Sequence, residues 1–425
     1  MRVSQVVQTA LLVFVALPQT VAAQGIALSG AGPINRSMGG AATAALIDAA
    51  GALYWNPASI SALTHSEMSF GMELAIPTGE ISSRVAGNAL GPGVPPVTLE
   101  GTSRSESGAA AIPAFAYVHK PEDSRWTYGL GVFGIGGFVA NYPASLNNPV
   151  LTPPPPNGLG LGQVAAQFDL IQLAPTLCYE LSPHLSVGFA PTVVLGRLVA
   201  KPALFAAPDD ANGDGSATYP AAIGTRTHWG AGFQVGAYYR TDSHWHFGAT
   251  LKSPQWLETL RFNSEDELGA PRLIKFRVDY PLIASIGASY SGLENYVFAC
   301  DLRYLDYADT AGFESAAFDE TGAITGLGWN SVMAVALGVQ RRMTDRLTLR
   351  CGYDFNENPV PSANTSVNAA SALIIKHWLC LGLSYQVLSN AVCSVAYVHG
   401  FQNSITGPIQ TPLGAVPGTS VTSTG

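Results

Sequence analysis

Apolar and polar residues alternate with a period of two along extended parts of this chain. From Trp229 to Tyr239 every second position is apolar (Trp229, Ala231, Phe233, Val235, Ala237, Tyr239), and the interleaved set is His228, Gly230, Gly232, Gln234, Gly236, Tyr238 and Arg240. Successive side chains of a strand point to opposite faces, so one face suits lipid and the other a polar or crowded interior. The span from Trp229 to Tyr239 covers roughly 33 Å at ~3.3 Å per residue, or about 25 Å of depth after a ~40° tilt. That is the apolar band of an outer-membrane barrel, with one aromatic in each interfacial girdle. Leu347 to Phe355 repeats the pattern, Leu347, Leu349, Cys351, Tyr353 and Phe355 alternating with Thr348, Arg350, Gly352 and Asp354.

About thirteen such stretches fall between residues 64 and 406, and the gaps between them are alternately short and long, as in an antiparallel transmembrane β-barrel. The short gaps are Lys120 to Ser124, Ser182 to His184, Thr241 to Ser243, Gly292 to Asn295, Met343 to Asp345 and Leu388 to Asn390. Between them come long ones, including Val139 to Gly160, Lys201 to Thr225, Asn263 to Pro271, Thr310 to Gly328 and Asn356 to Ala370. A soluble all-β domain also alternates on its inner face but has no reason to sort its loops by length. A barrel places short turns on the periplasmic side and long loops outside.

Residues 1–23 read as a signal peptide: Arg2, an apolar stretch from Ala10 to Leu17, then Val21-Ala22-Ala23 before Gln24, where the mature chain is expected to begin. No later run has the ~18 apolar residues of a spanning helix. With 12% charged residues, 45 glycines and a mean hydropathy of +0.21, the chain is too apolar for disorder. Its net charge of −8 argues against nucleic acid. Five cysteines (Cys178, Cys300, Cys351, Cys380, Cys393) without C-x-x-C spacing give no zinc site and no disulfide framework. They read as small apolar residues, with Cys380 and Cys393 able to pair only if the register allows.

Residues 24–64 do not alternate. They are small and glycine-rich (Gly25 to Gly32, Met38-Gly39-Gly40-Ala41-Ala42, Asp48-Ala49-Ala50) and end in Tyr54-Trp55-Asn56-Pro57-Ala58. Small residues let backbone pack closely, Pro57 biases Asn56 away from helix, and Asn56 can tie down nearby backbone. Leu53, Tyr54, Trp55 and Ile60 are more apolar than disorder permits, so a compact plug is expected. This lead-in, the Asn56-Pro57-Ala58 motif, and a later block of Gly352-Tyr353-Asp354, Asn358-Pro359-Val360-Pro361 and Tyr397-Val398-His399-Gly400 resemble the FadL/TodX outer-membrane transporters.

The resemblance implies a fourteen-stranded barrel closed by an N-terminal hatch (24–64), the barrel occupying 65–425. It implies passive uptake of long-chain fatty acids, or alternatively aromatic hydrocarbons such as toluene, with lateral release at an inward kink in the third strand. Gly129 to Phe138 occupies that strand, and Gly131, Gly134, Gly136 and Gly137 mark the bend; glycine also makes room for the hatch there. Thr419 to Gly425 looks like the start of a descending strand, so a last strand is expected to be missing through truncation; alternatively Gln24 to Gly32 or the tail partners the open edge.

Phe138, Val139, Leu146, Leu159 and Leu161 are candidates for an outer capture groove beside the stiff Pro153 to Pro156 run. A fatty-acid carboxylate would need a cation, and parity directs Arg303, Arg350 and Lys376 inward, along with Asp301 and Asp354. Such charges also pair with one another; if none serves a ligand, an uncharged hydrocarbon is the better substrate. Asp210, Asn212 and Asp214 partly resemble a calcium loop, but Ala221 stands where an EF-hand has its Glu. His244 and His246 share a face without a third ligand. No cofactor is expected, and the chain is expected to work as a monomer in outer-membrane lipid. An outer-membrane hydrolase would need a triad that no motif supplies; a surface adhesin or structural barrel would need neither hatch nor bent strand.

Overall fold

The computed structural model describes residues 24–425 apart from residue 46; the expected signal segment lies outside the described residues. Thirteen antiparallel strands form the wall, β1 Glu67–Ala75, β2 Ala110–His119, β3 Trp126–Tyr142, β4 Val164–Glu180 and β5 Leu185–Lys201 being the first five. Next come β6 His228–Arg240, β7 Trp245–Lys252, β8 Leu282–Tyr290 and β9 Tyr296–Asp306. The last four are β10 Val332–Arg342, β11 Leu347–Asn356, β12 His377–Leu388 and β13 Ala391–Gly400. Each pairs with its sequence neighbour, as short turns and long loops in alternation require.

Alternation sorts the faces. On β6, Trp229 and Tyr239 are 59% and 46% exposed, whereas His228, Gln234 and Tyr238 are buried. Aromatics gather beside the short turns, Trp126 against Tyr179 (4.5 Å between ring centres) and Trp245 against Tyr290 (4.9 Å), as a girdle at the membrane interface. Cys380 pairs with Val398 and Cys393 with Tyr385, so the register holds these two cysteines apart.

One long gap of the sequence reading, Asn263 to Pro271, is strand at both ends. Leu260–Glu265 and Pro271–Phe276 form an external hairpin that Gly224–Thr225 extends, burying Leu260, Phe262 and Ile274. β7 therefore stops at Lys252, well before Asn263. Pro254 has no N–H to continue the ladder, and the chain turns so that Gln255 pairs with Tyr280 and Trp256–Leu257 with β6.

The lumen is filled by residues 24–63. Two short helices, α1 Gly32–Ser37 and α2 Ala49–Trp55, appear where the sequence showed only a small-residue plug. Asp48 caps α2 by accepting from Gly51 N (3.2 Å), Glu67 of β1 accepts from Ala49 N (2.9 Å), and Asn56 is already extended ahead of Pro57.

Inward glycines let this hatch reach the wall. Gly188 and Gly236, Gly248 and Gly287, and Gly338 and Gly352 are directly opposed cross-strand pairs. A Cβ at Gly188 would fall on Pro57, at Gly236 on the Asn56 side-chain oxygen, at Gly248 on the Thr43 carbonyl, and at Gly338 2.6 Å from the Met38 carbonyl oxygen. Backbone of the plug thus lies directly on backbone of the wall.

β1 and β13 are not paired with one another among the described residues. At their outer ends Thr419–Thr424 bridges them, Thr424 lying opposite Glu80 on one side and Ser404 on the other. α1 packs behind this seam, and Arg36 forms a two-pronged ion pair with Glu73 of β1 (2.8 and 2.7 Å).

Replacing Gly236 by Ala forces Asn56 to shift, an overpacking cost of about 1–3 kcal/mol on the hatch. Hydrogen exchange should speed up across residues 40–58 while heat-modifiable gel migration of the barrel stays unchanged.

Candidate functional site: the break in the wall and the outer groove

Besides the seam between β1 and β13, β2 and β3 lose their pairing partway up the wall. β3 pairs with β2 from Tyr128 opposite His119 to Phe133 opposite Ala114, and no further. β2 runs on beside β1 to Ala110 and β3 runs on beside β4 to Tyr142, with a register shift between Gly134 and Gly136. Pro113, the next residue of β2, has no N–H to offer. Contact resumes at the outer rim, where Glu106 N donates to Asn141 O (2.7 Å). The interval from Gly134 to Ala140 is a window in the pairing, about 20 Å long along β3 at ~3.3 Å per residue.

Behind the window the N-terminal segment takes the place of β2. Leu28 N donates to Ile135 O (3.0 Å), Gly137 N donates to Ile26 O (3.0 Å), and Ala27 bridges to Gly136. Gly136 is required for this approach, since a Cβ there would lie 2.6 Å from Ile26 O, and Gly137 has φ +151°. Gly134 faces Ile112, while Gly131 lies below the window in the paired section, against the Phe133 ring. The bulged Ile135 carbonyl also lies 3.3 Å from both the Tyr54 and the Tyr280 hydroxyl, and Tyr54 lies 3.0 Å from Leu28 O.

The three motif residues lock the hatch below the window. Asn56, fully buried, donates from Nδ2 to Thr43 O (2.8 Å) and to Ala237 O of β6 (3.0 Å), and its Oδ1 accepts from Ala58 N (3.0 Å). Pro57 and Ala58 lie against Gly188.

Of the two inward arginines of the sequence reading, Arg303 serves this plug and Arg350 bonds within the wall. Asp301 Oδ2 accepts from Ala42 N, Thr43 N and Thr43 Oγ1 (2.9, 2.9 and 2.8 Å) and from Arg303 (2.9 Å). Arg303 donates to Gly40 O (2.6 Å), lies 3.9 Å from Asp354, and stacks 3.5 Å from the Trp55 ring centre. Arg350 is bonded to Gln340 (2.7 Å) and Ser384 (2.6 Å). Lys376 is half-buried just before β12 begins, at its outer end.

Lys252 escaped the sequence reading although it shares the inward parity of Gly248 and Thr250. It is 2% exposed, its Nζ has no hydrogen-bond partner among the described residues, and it lies 4.5 Å from the Tyr54 ring centre, level with the window.

Outside, loops converge on a groove of about 380 Å³. Leu146, Pro149, Pro153, Leu159 and Leu161 line one side, and Leu90, Leu204, Phe318 and Ile409 come from other loops; among the described residues no Asp, Glu, Lys or Arg lines it. Phe138 and Val139 are not in it: they lie in β3, where Phe138 packs on Phe168 (5.9 Å). In the acidic loop Asp210, Asn212 and Asp214 each accept from backbone N–H groups of their own turn, and among the described residues no group of three His, Cys, Asp or Glu side chains is placed to hold a metal ion. His246 is bonded to Tyr238 (2.8 Å) and Ser291 (3.2 Å).

A plugged β-barrel with a break in its wall and an apolar outer groove is the architecture of an outer-membrane transporter for hydrophobic compounds. The chain belongs to the outer membrane protein transport protein family (OMPP1/FadL/TodX), whose family model matches residues 12–412. No curated protein sequence matches it. Among solved structures it is similar to the Ralstonia pickettii toluene transporter TbuX (16% identity, 93% of this chain and 96% of that one, TM-score 0.64). It is also similar to a Pseudomonas aeruginosa FadL homologue (15%, 94% and 99%, 0.66) and to the Pseudomonas putida toluene transporter TodX (16%, 94% and 97%, 0.62). At these identities the likeness is one of fold.

Burial and the neighbouring Glu67 push the Asp48 carboxyl up to about 7, against the Gly51 N–H that favours its charged form. A carboxyl raised on folding holds a proton that the unfolded chain has lost, so stability falls as pH rises from the ordinary carboxylate range through 7. Hydrogen exchange of residues 49–55, corrected for intrinsic rates, should therefore be faster above pH 7 than below it. Asp48→Asn, which keeps the cap, should flatten that dependence.

Proposed function

We propose that the barrel takes up uncharged hydrophobic compounds, aromatic hydrocarbons among them, through the outer groove and delivers them sideways into the bilayer at the window in β3. The observation that carries this reading is the groove without ionic residues, set above a wall whose pairing is interrupted for about 20 Å. An apolar molecule leaving sideways never re-enters water, so burial of its surface drives the transfer and no energy source is needed. Release requires that Ile26 to Leu28 leave the free edge of β3, since they occupy it in this state.

A second reading, long-chain fatty acids, is favoured by Lys252. It is the buried lumen cation without a hydrogen-bond partner among the described residues, at the level of the window, where a carboxylate would offset its burial.

The two readings separate in cells lacking their own transporters, given labelled toluene and labelled long-chain fatty acid in parallel. Leu146→Asp with Leu159→Asp should reduce saturable uptake of either cargo severalfold. Lys252→Met should leave toluene uptake intact and lower fatty-acid uptake only under the second reading. Uptake of neither compound by a correctly inserted barrel would overturn both.

A further inference from the structure

We propose that export leaves Gln24 as the first residue of the mature chain and that Gln24 is then present as its cyclic lactam, pyroglutamate. Small residues at Val21-Ala22-Ala23 set the cleavage point by sequence. The case for the lactam comes from where Gln24 sits. It is 5% exposed, its carbonyl accepts from the Tyr307 hydroxyl (2.8 Å), and a Cβ on the next residue, Gly25, would lie 2.8 Å from the Trp329 ring. Tyr307, Phe313 and Trp329 form one packed aromatic group there.

An α-ammonium in that place would bring a charge and three donor hydrogens into a buried aromatic setting. The nitrogen of Gln24 meets one acceptor, Asn356 Oδ1. Asn356 in turn donates to Asp354 Oδ1 (2.8 Å) and to Lys376 O (3.1 Å); Asp354 shares Arg303 with Asp301, and among the described residues no carboxylate accepts from the Gln24 nitrogen. Burying an unpaired charge is costly. Cyclisation removes both difficulties. The α-amino nitrogen attacks the side-chain carbonyl carbon, the bond from that carbon to Nε2 breaks, and Nε2 leaves as ammonia; no oxidant or second substrate is involved. The lactam nitrogen keeps a single hydrogen, matching the single acceptor. The atom expelled, Nε2, is a buried nitrogen with no hydrogen-bond partner among the described residues. The change makes the N-terminus neutral where it ties the free edge of β3 to the loop after β9.

The test is mass spectrometry of the full-length protein taken from outer membranes. It is denatured, its primary amines are labelled at once, and it is then cut with trypsin, whose first product is the peptide from Gln24 to Arg36. The expected result is this peptide unlabelled at its N-terminus and lighter than the open chain by one ammonia. Labelling before digestion separates cyclisation in the cell from cyclisation in the tube. Gln24→Ala, which cannot cyclise, should give the corresponding peptide fully labelled, showing that an open amine at this position is detected. A labelled open-chain Gln24 peptide from the wild type, or a first peptide beginning at any other residue, overturns the proposal.

Discussion

Nothing in hydrocarbon takes over the hydrogen bond of an unpaired backbone group, and the architecture of this barrel follows from how it meets that constraint. Along most of the wall each strand satisfies its neighbours. β2 and β3 part at Pro113 and Ile135, and the amides freed on β3 find partners from the lumen side in Ile26 to Leu28. The plug is therefore a component of the wall as well as an obstruction in it. Any change that releases the N-terminal segment exposes a strand edge.

The same economy governs the lumen. Buried charges are tolerated where they are paired and hydrogen-bonded, and Asp301 and Arg303 meet that condition by pairing with one another and gripping the backbone of residues 40–43. Those side chains position the hatch. Opposed glycine pairs complete the fit by letting plug and wall approach at backbone distance, which side chains of any size would prevent. What remains for a ligand is an outer groove without ions and, level with the window, one lysine without a hydrogen-bond partner among the described residues.

Much of this was legible in the chain. Period-two alternation from Trp229 to Tyr239 and the sorting of loop lengths gave the barrel, because lipid and lumen impose opposite demands on neighbouring residues. Leu146 and Leu159 were legible as groove residues from their apolar character in an external loop. Lys252 was missed, although its parity pointed inward, because β7 was read as running past Pro254. Arg303 and Arg350 both face inward, but what Arg303 touches depends on a hatch whose path no periodicity reports. Val139 was placed in the loop, and Phe138 at the end of the strand, because a glycine-rich strand reads as ending early.

The sequence by itself determined which face of each strand meets lipid, the order of pairing around the wall, and where β3 is free to bend, since each of these is a local consequence of side-chain period, turn length and glycine. Only the tertiary structure decided that the bend is filled by Ile26 to Leu28, that Asn56 reaches Ala237, and that Asp301 holds Thr43. These contacts join residues separated by more than a hundred positions. They form because a closed wall forces distant segments into one lumen, and no local pattern of residues encodes which of them will meet.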